Sequence, residues 1–401
     1  MKSNLRTLLF SGDRQFVFMR SLSMIAALTF ALLYSKQLGV ERRGLLTFVM
    51  TTNLVFSIFL ISGISLHLRN LTKTGLKENI LGTYLAAIIT FSFVTPILNV
   101  CMLNLYRFLF DVKFPNNLLY VSIVYCFFST LSYGMHDALL LIKSIKIASI
   151  IDFGVVLIQI AVYFTLLYVG ETSYFVSVLI SMAVSYLVMV SAVLLLLIYA
   201  YNPRLNFSFT TFKKLVLDSS TLTLLNMASQ LLERIDKVFL GLQTSASELG
   251  RFSTSQSIIG IYKFLPDSIG KLSLARNKSY INLRISRLKL VLATGLVVSS
   301  IGGLAFLVVR FFLGSPWELP LLMVFTIVFV EIIRGFYGLL SINAVRSDAY
   351  QRLKTITIFQ LVCGLFIQPV AIHFFGLWGS LGSSLVVLFV GIFALREYVG
   401  E

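Results

Sequence analysis

The sequence predicts an all-α polytopic membrane protein of about twelve transmembrane helices, set in two six-helix lobes around a central cavity. Three observations lead there. First, the 401-residue chain is 57% hydrophobic and 12% charged, whereas a soluble domain carries about a quarter of its residues as charges. Second, apolar runs follow one another along the whole chain, each near the roughly 20 residues that a helix needs to cross the hydrocarbon core. With about 33 residues for each span and its loop, no folded domain fits outside the membrane. Third, one design occurs twice. An apolar run from Leu33 to Phe48 carries the charged turn Leu38, Gly39, Glu41, Arg42, Arg43, Gly44. From Leu231 to Phe252 the charges Glu233, Arg234, Asp236 and Lys237 lead into a second turn at Glu248, Leu249 and Gly250. Gly250 follows Gly44 by 206 positions, about half of the chain, as one duplicated six-helix unit would give. The lobes are therefore placed at 1–207 and 208–401.

In chain order, span 1 is expected from Phe16 to Leu33 and span 2 from Leu45 to Leu66, joined by the turn Gly39–Gly44. The basic start before span 1 mimics a secretory signal. No small-residue cleavage site follows and the run continues into the repeat unit, so it reads as an uncleaved first helix. Span 3 (Ile80–Leu105) holds Pro96, which should kink it, and span 4 (Leu118–Ile142) follows the longest loop on its side, Tyr106–Asn117. Span 5 (Ile147–Val169) and span 6 (Tyr174–Ala200) meet at Gly170 and Glu171, and the polar stretch Tyr201–Lys214 links the halves. Span 7 (Leu215–Ile235) would have crossed before its charge cluster, which is thus placed at the membrane interface. Span 8 (Phe252–Ile269) returns to the basic loop Gly270–Lys289. Spans 9 to 12 fall at Leu290–Leu313, Leu321–Ile342, Thr355–Phe375 and Trp378–Leu395. Six spans per half is an even number, so the halves point the same way, are related by an axis along the membrane normal, and leave a cavity between them for a substrate.

The net charge of +16 has to be sorted by membrane side before it can mean anything. Of the 33 Lys and Arg, twenty-one lie on the side of the N-terminus, six of them in the Gly270–Lys289 loop, and eight lie opposite. By the positive-inside rule both termini are cytoplasmic, and the excess faces membrane lipids, not a nucleic acid.

Four basic residues fall within the spans: Arg20, Arg234, Lys263 and Arg334. Ionisable groups at such depth are costly and face a cavity or a partner. Lys263 lies about 16 Å into span 8, near the midplane, with Asp267 one turn on and Pro266 between them. Either the two neutralise each other as helix glue or they line the cavity. Glu331 and Arg334 repeat the arrangement at spacing three in span 10. Arg20 is one turn from the inner boundary and can snorkel, and Glu233, Arg234, Asp236 and Lys237 can pair among themselves. His136 and Asp137 are adjacent in sequence and so point in different directions.

Catalytic chemistry finds no residues to carry it. His67, His136 and His373 have no metal-ligand spacing, no phosphate loop is present, and no nucleophile constellation can be read. Cys101, Cys126 and Cys363 each sit in an apolar run, so no disulfide framework is implied. Neither a cofactor nor a metal is expected, and the chain does not read as an enzyme.

The turn Tyr34–Phe48, with Leu38, Gly39, Glu41 and Gly44, resembles the first turn of the polysaccharide repeat-unit flippases of the multidrug/oligosaccharidyl-lipid/polysaccharide (MOP) exporter superfamily. Asp236, Phe239, Leu240, Gly241, Glu248, Leu249, Gly250, Phe252 and Ser253 resemble the turn between that family's seventh and eighth helices, with Phe252 where Tyr is more common. Gly376, Gly379 and Gly382 resemble its glycine-rich turn between helices 11 and 12. The resemblance implies a flippase that carries an undecaprenyl-diphosphate-linked oligosaccharide from the inner to the outer leaflet of the bacterial inner membrane by alternating access, in O-antigen or exopolysaccharide assembly. It implies that Lys263, Arg334, Arg20 and Arg234 form a cationic substrate site and that Asp267, Glu331 or Glu233 binds a coupling cation, proton or sodium. A cation-coupled drug or metabolite antiporter of the same superfamily is the alternative, although it would favour acidic over basic cavity residues. A polysaccharide polymerase or ligase would need a longer outer loop than Tyr106–Asn117.

Overall fold

A computed structural model describes residues 13–73, 78–110, 117–139, 145–169, 173–201, 208–260, 287–346 and 350–395. Among them regular structure is helical throughout. The helices are α1 (Asp13–Leu38), α2 (Val40–Lys73), α3 (Glu78–Phe110), α4 (Leu118–Leu139), α5 (Ile145–Val169), α6 (Tyr174–Tyr201), α7 (Phe209–Leu232), α8 (Ile235–Gln243), α9 (Ala246–Ile259), α10 (Arg287–Val308), α11 (Leu321–Arg346) and α12 (Tyr350–Ala394). Eight stretches among the described residues are long and apolar enough to cross a membrane. The 44-residue one, Gln351–Ala394, spans both predicted helices 11 and 12. The chain is an all-α polytopic membrane protein.

The path of the chain departs from the expected one at its turns. Gly39–Gly44 is not a loop. Gly39 alone breaks the helix, at φ 76°, and α2 restarts at Val40, so Glu41 to Gly44 form its first turn. A left-handed residue closes α1 within one position because glycine carries no Cβ to clash. Gly376 does the same inside α12, at φ 56° and ψ −131°, which joins spans 11 and 12 without a loop. The α3 helix runs on to Phe110, so part of the stretch expected as a loop from Tyr106 is helical, and it continues through Pro96. The hydroxyls of Ser92 and Thr95 bond the carbonyls of Ile88 and Phe91 one turn back.

The described chain forms two compact units, one of residues 48–234 and the other of residues 1–47 with 235–401. In the first, α4 packs against α3 and α6, and α6 against α5. Tyr84, fully buried, is satisfied through its hydroxyl, which donates to the carbonyl of Gly134 at 2.8 Å. Around it Ile61, Leu85, Ile88, Leu131, Met135 and Val193 form a continuous apolar core. Polar pairs tie these helices where hydrocarbon offers no alternative partner: Ser57 with Thr130 at 2.9 Å, and Asn99, whose amide donates to Thr52 at 3.0 Å. The second unit combines α1 and the first turn of α2 with α8 to α12. There α8 packs on α12, and α11 on α10 and α12.

Within this second unit the repeated turns meet. A Cβ on Gly44 would lie 1.8 Å from the carbonyl oxygen of Ala246, and one on Gly250 would lie 2.0 Å from that of Val40. Val40 and Ala246 are separated by the same 206 positions as the glycines, so the two contacts are the same contact made twice. The Thr47 hydroxyl donates to that of Ser253 at 2.9 Å, again across 206 positions. A local two-fold axis therefore passes between Thr47 and Ser253, and only glycine permits the approach of the helices on either side of it.

Candidate functional site

The buried charges of the second unit converge from three helices. The chain breaks after Leu232, where the Arg234 amide bonds the Leu231 carbonyl, and α8 begins at Ile235. Asp236 thus stands in the first turn of α8, where a carboxylate is favoured by the exposed amides and the helix dipole. It accepts from the amide of Lys237 at 2.7 Å. On α11, Glu331 and Arg334 are three residues apart and share a face. Arg334 Nη1 donates to Glu331 Oε1 at 2.6 Å, and Arg334 Nη2 lies 3.5 Å from Asp236 Oδ2. Gln256 of α9 donates through Nε2 to the same Glu331 oxygen at 2.6 Å, while its own Oε1 is buried without a hydrogen-bond partner. Relative exposure is 1% for Asp236 and Glu331, 6% for Arg334 and 7% for Gln256, so the cluster is buried as a group.

Two carboxylates share one guanidinium in a medium that penalises unpaired charge. A proton or sodium ion taken up by Glu331 would loosen its hold on Arg334 and leave the guanidinium to Asp236 or to an incoming anion.

The spacing of Glu331 and Arg334 predicted their pairing, and the structure brings them together. Asp236 and Gln256 join them unforeseen. A two-residue turn after Leu232 starts a new helix at Ile235, so Asp236 is buried in the first turn of α8 within reach of Arg334. Gln256, a neutral residue in a polar-rich helix, carried no signal. Glu233 and Arg234 lie half-buried at the α7–α8 break, and Arg20 lies half-buried in α1. Lys263 and Asp267 lie outside the described residues. His136 of α4 pairs with Asp152 of α5, at 3.2 Å. Arg43, counted in the sequence among the loop cations, is 5% exposed, since the turn that holds it is helix and not loop. Among the described residues no group of three metal-ligating side chains occurs.

Residues 16–266 match the model of the family described as polysaccharide biosynthesis protein. No curated protein matches the chain. Among solved structures, the chain is similar to a lipid II flippase, MurJ, in an inward closed conformation, with a TM-score of 0.71 at 14% identity over 96% of this chain and 87% of that one. It is also similar to a multidrug resistance MATE family transporter of the MOP superfamily in an inward-facing conformation, with a TM-score of 0.63 at 12% identity over 98% and 96%. At these identities the likeness is one of fold. The family model covers well over half of the sequence. The chain belongs to the polysaccharide biosynthesis protein family and is built on the MOP-superfamily fold.

Proposed function

We propose that the protein is a flippase that moves an undecaprenyl-diphosphate-linked oligosaccharide repeat unit from the inner to the outer leaflet of the bacterial inner membrane, by alternating access of the lobes 1–207 and 208–401. The observation that carries this reading is the family match over residues 16–266, which couples polysaccharide biosynthesis to a chain made of membrane helices. A diphosphate cannot enter hydrocarbon unaccompanied, and basic groups held at membrane depth supply what the lipid lacks. Arg334, Lys263, Arg20 and Arg234 take that role. Glu331, with Asp267 and Glu233, is the candidate for a coupling proton or sodium ion, because its carboxylate already restrains the one cation of the described cluster. The likeness to a lipid II flippase supports a lipid-linked cargo.

Deletion of the gene is expected to leave lipid-linked repeat units on the cytoplasmic leaflet and to abolish the surface polysaccharide. Normal polysaccharide in a strain without a second flippase would sink the proposal. A cation-coupled antiporter is the second reading, favoured by the two buried carboxylates Asp236 and Glu331. It predicts drug sensitivity on deletion with the polysaccharide intact.

A further inference from the structure

We propose that Arg43 and Tyr34 form a binding site for a phosphate or diphosphate group at the clasped turn, separate from the Asp236–Arg334–Glu331 cluster. The local two-fold axis gives the reason. Fixed by Thr47 with Ser253 and by the reciprocal glycine contacts, the 206-position register places Leu249 opposite Arg43 and Leu240 opposite Tyr34. Those leucines are buried, at 1% and 0% exposure, as Arg43 and Tyr34 are at 5% and 3%. Packing at this place in the fold is thus satisfied by two leucines in one copy of the turn. The other copy holds a guanidinium and a phenol, although burying a charge is costly without a counter-charge.

Arg43 has no counter-charge among the described residues. Its Nη1 donates to the Tyr34 hydroxyl at 2.7 Å, its carbon Cζ lies 4.9 Å from the centre of the Tyr34 ring, and its Nε is buried with no acceptor. The Tyr34 oxygen, accepting from Arg43, keeps its own proton to donate. The site is therefore rich in donors and poor in acceptors. What it lacks is an anion with several oxygens, which a guanidinium recognises in bidentate fashion. There is room beside the turn. A helical side chain leans toward the preceding turn, and one turn before Arg43 stands Gly39, where an added Cβ would meet nothing within 4 Å.

The phosphate can come from a lipid headgroup or from solution, and the site does not require the transport reading to hold. The test uses the full chain in nanodiscs of phosphatidylcholine, titrated in one arm with inorganic pyrophosphate and loaded in the other with undecaprenyl diphosphate, with binding read by calorimetry and by native mass spectrometry. The double variant Tyr34→Leu with Arg43→Leu copies the packing of the second turn and should keep its folded yield while losing about tenfold or more in affinity. Arg43→Lys should retain part of it, since it keeps the charge but not the fork. Loss in the lipid arm alone identifies a lipid phosphate, loss in the pyrophosphate arm a free one, and either supports the site. Should the double variant not fold, Tyr34→Phe, which removes only the hydroxyl, is expected to weaken binding severalfold. Affinity unchanged in whichever of these variants folds, or no binding by the wild type in either arm, overturns the proposal. Polysaccharide export is measured separately, so a failed flippase reading and a failed phosphate site are told apart.

Discussion

Arg334 holds two carboxylates at once, and its removal would leave both buried without it. Arg334→Ala is therefore expected to destabilise the protein by about 3–5 kcal/mol, the usual penalty for breaking a buried pair from one side. Adding Glu331→Gln should recover much of that loss, because the amide keeps an oxygen for Gln256 while shedding the charge. The check is thermal unfolding of the two single variants and the double variant. If Arg334→Ala melts with the wild type, the cluster is not the anchor described above. The parts of this cluster that could be read from the sequence are those that lie along one helix. Glu331 and Arg334 were visible through their spacing, since three residues bring side chains to one face. Gln256 is 75 positions from Glu331, and nothing local announces a contact at that separation. Arg43 misled for a related reason: a run of Glu and Arg around glycines reads as a loop, and only the single-residue break at Gly39 turns it into a buried helical turn.

At the scale of elements, the first turn of α2 and the first turns of α9 act as one piece. Thr47 and Ser253 have their hydroxyl oxygens 2.9 Å apart, so cysteines placed at both are expected to form a disulfide on mild oxidation. Non-reducing gels after proteolysis between the two sites would show it, and two unlinked fragments would contradict the clasp. Gly44→Ala and Gly250→Ala should each force the helices apart, since the new methyl would sit inside the contact radius of a backbone carbonyl. The paired glycines were legible as a repeat, but their contact was not. A spacing reports that two segments resemble each other, and whether they touch depends on how the intervening spans fold.

For the molecule as a whole, we propose from the charge bias an orientation that the fold alone leaves open. On it, cysteines at Glu41 and Glu248 are labelled from outside by an impermeant reagent, and cysteines at Lys73 and Arg284 only after the membrane is broken. Labelling of the Arg284 site in intact spheroplasts would reverse the assignment. The all-helical, membrane-spanning character of the described residues was legible because each span has to satisfy hydrocarbon on its own. The division into compact units was not. The cuts after Thr47 and Arg234 follow contacts, whereas the lobes 1–207 and 208–401 follow the repeat.

That division bears on how the chain is made. Residues 1–47 belong to the unit whose remainder begins at Ile235, so α1 completes its packing with a part of the chain made much later. At ~5–20 residues per second, the 206 positions from Val40 to Ala246 take ~10–40 s to synthesise. Throughout that interval the glycine face of α2 waits in the bilayer without its counterpart. A chain truncated before Ala246 would leave that face uncovered permanently, and membrane quality control would meet it as an orphaned segment.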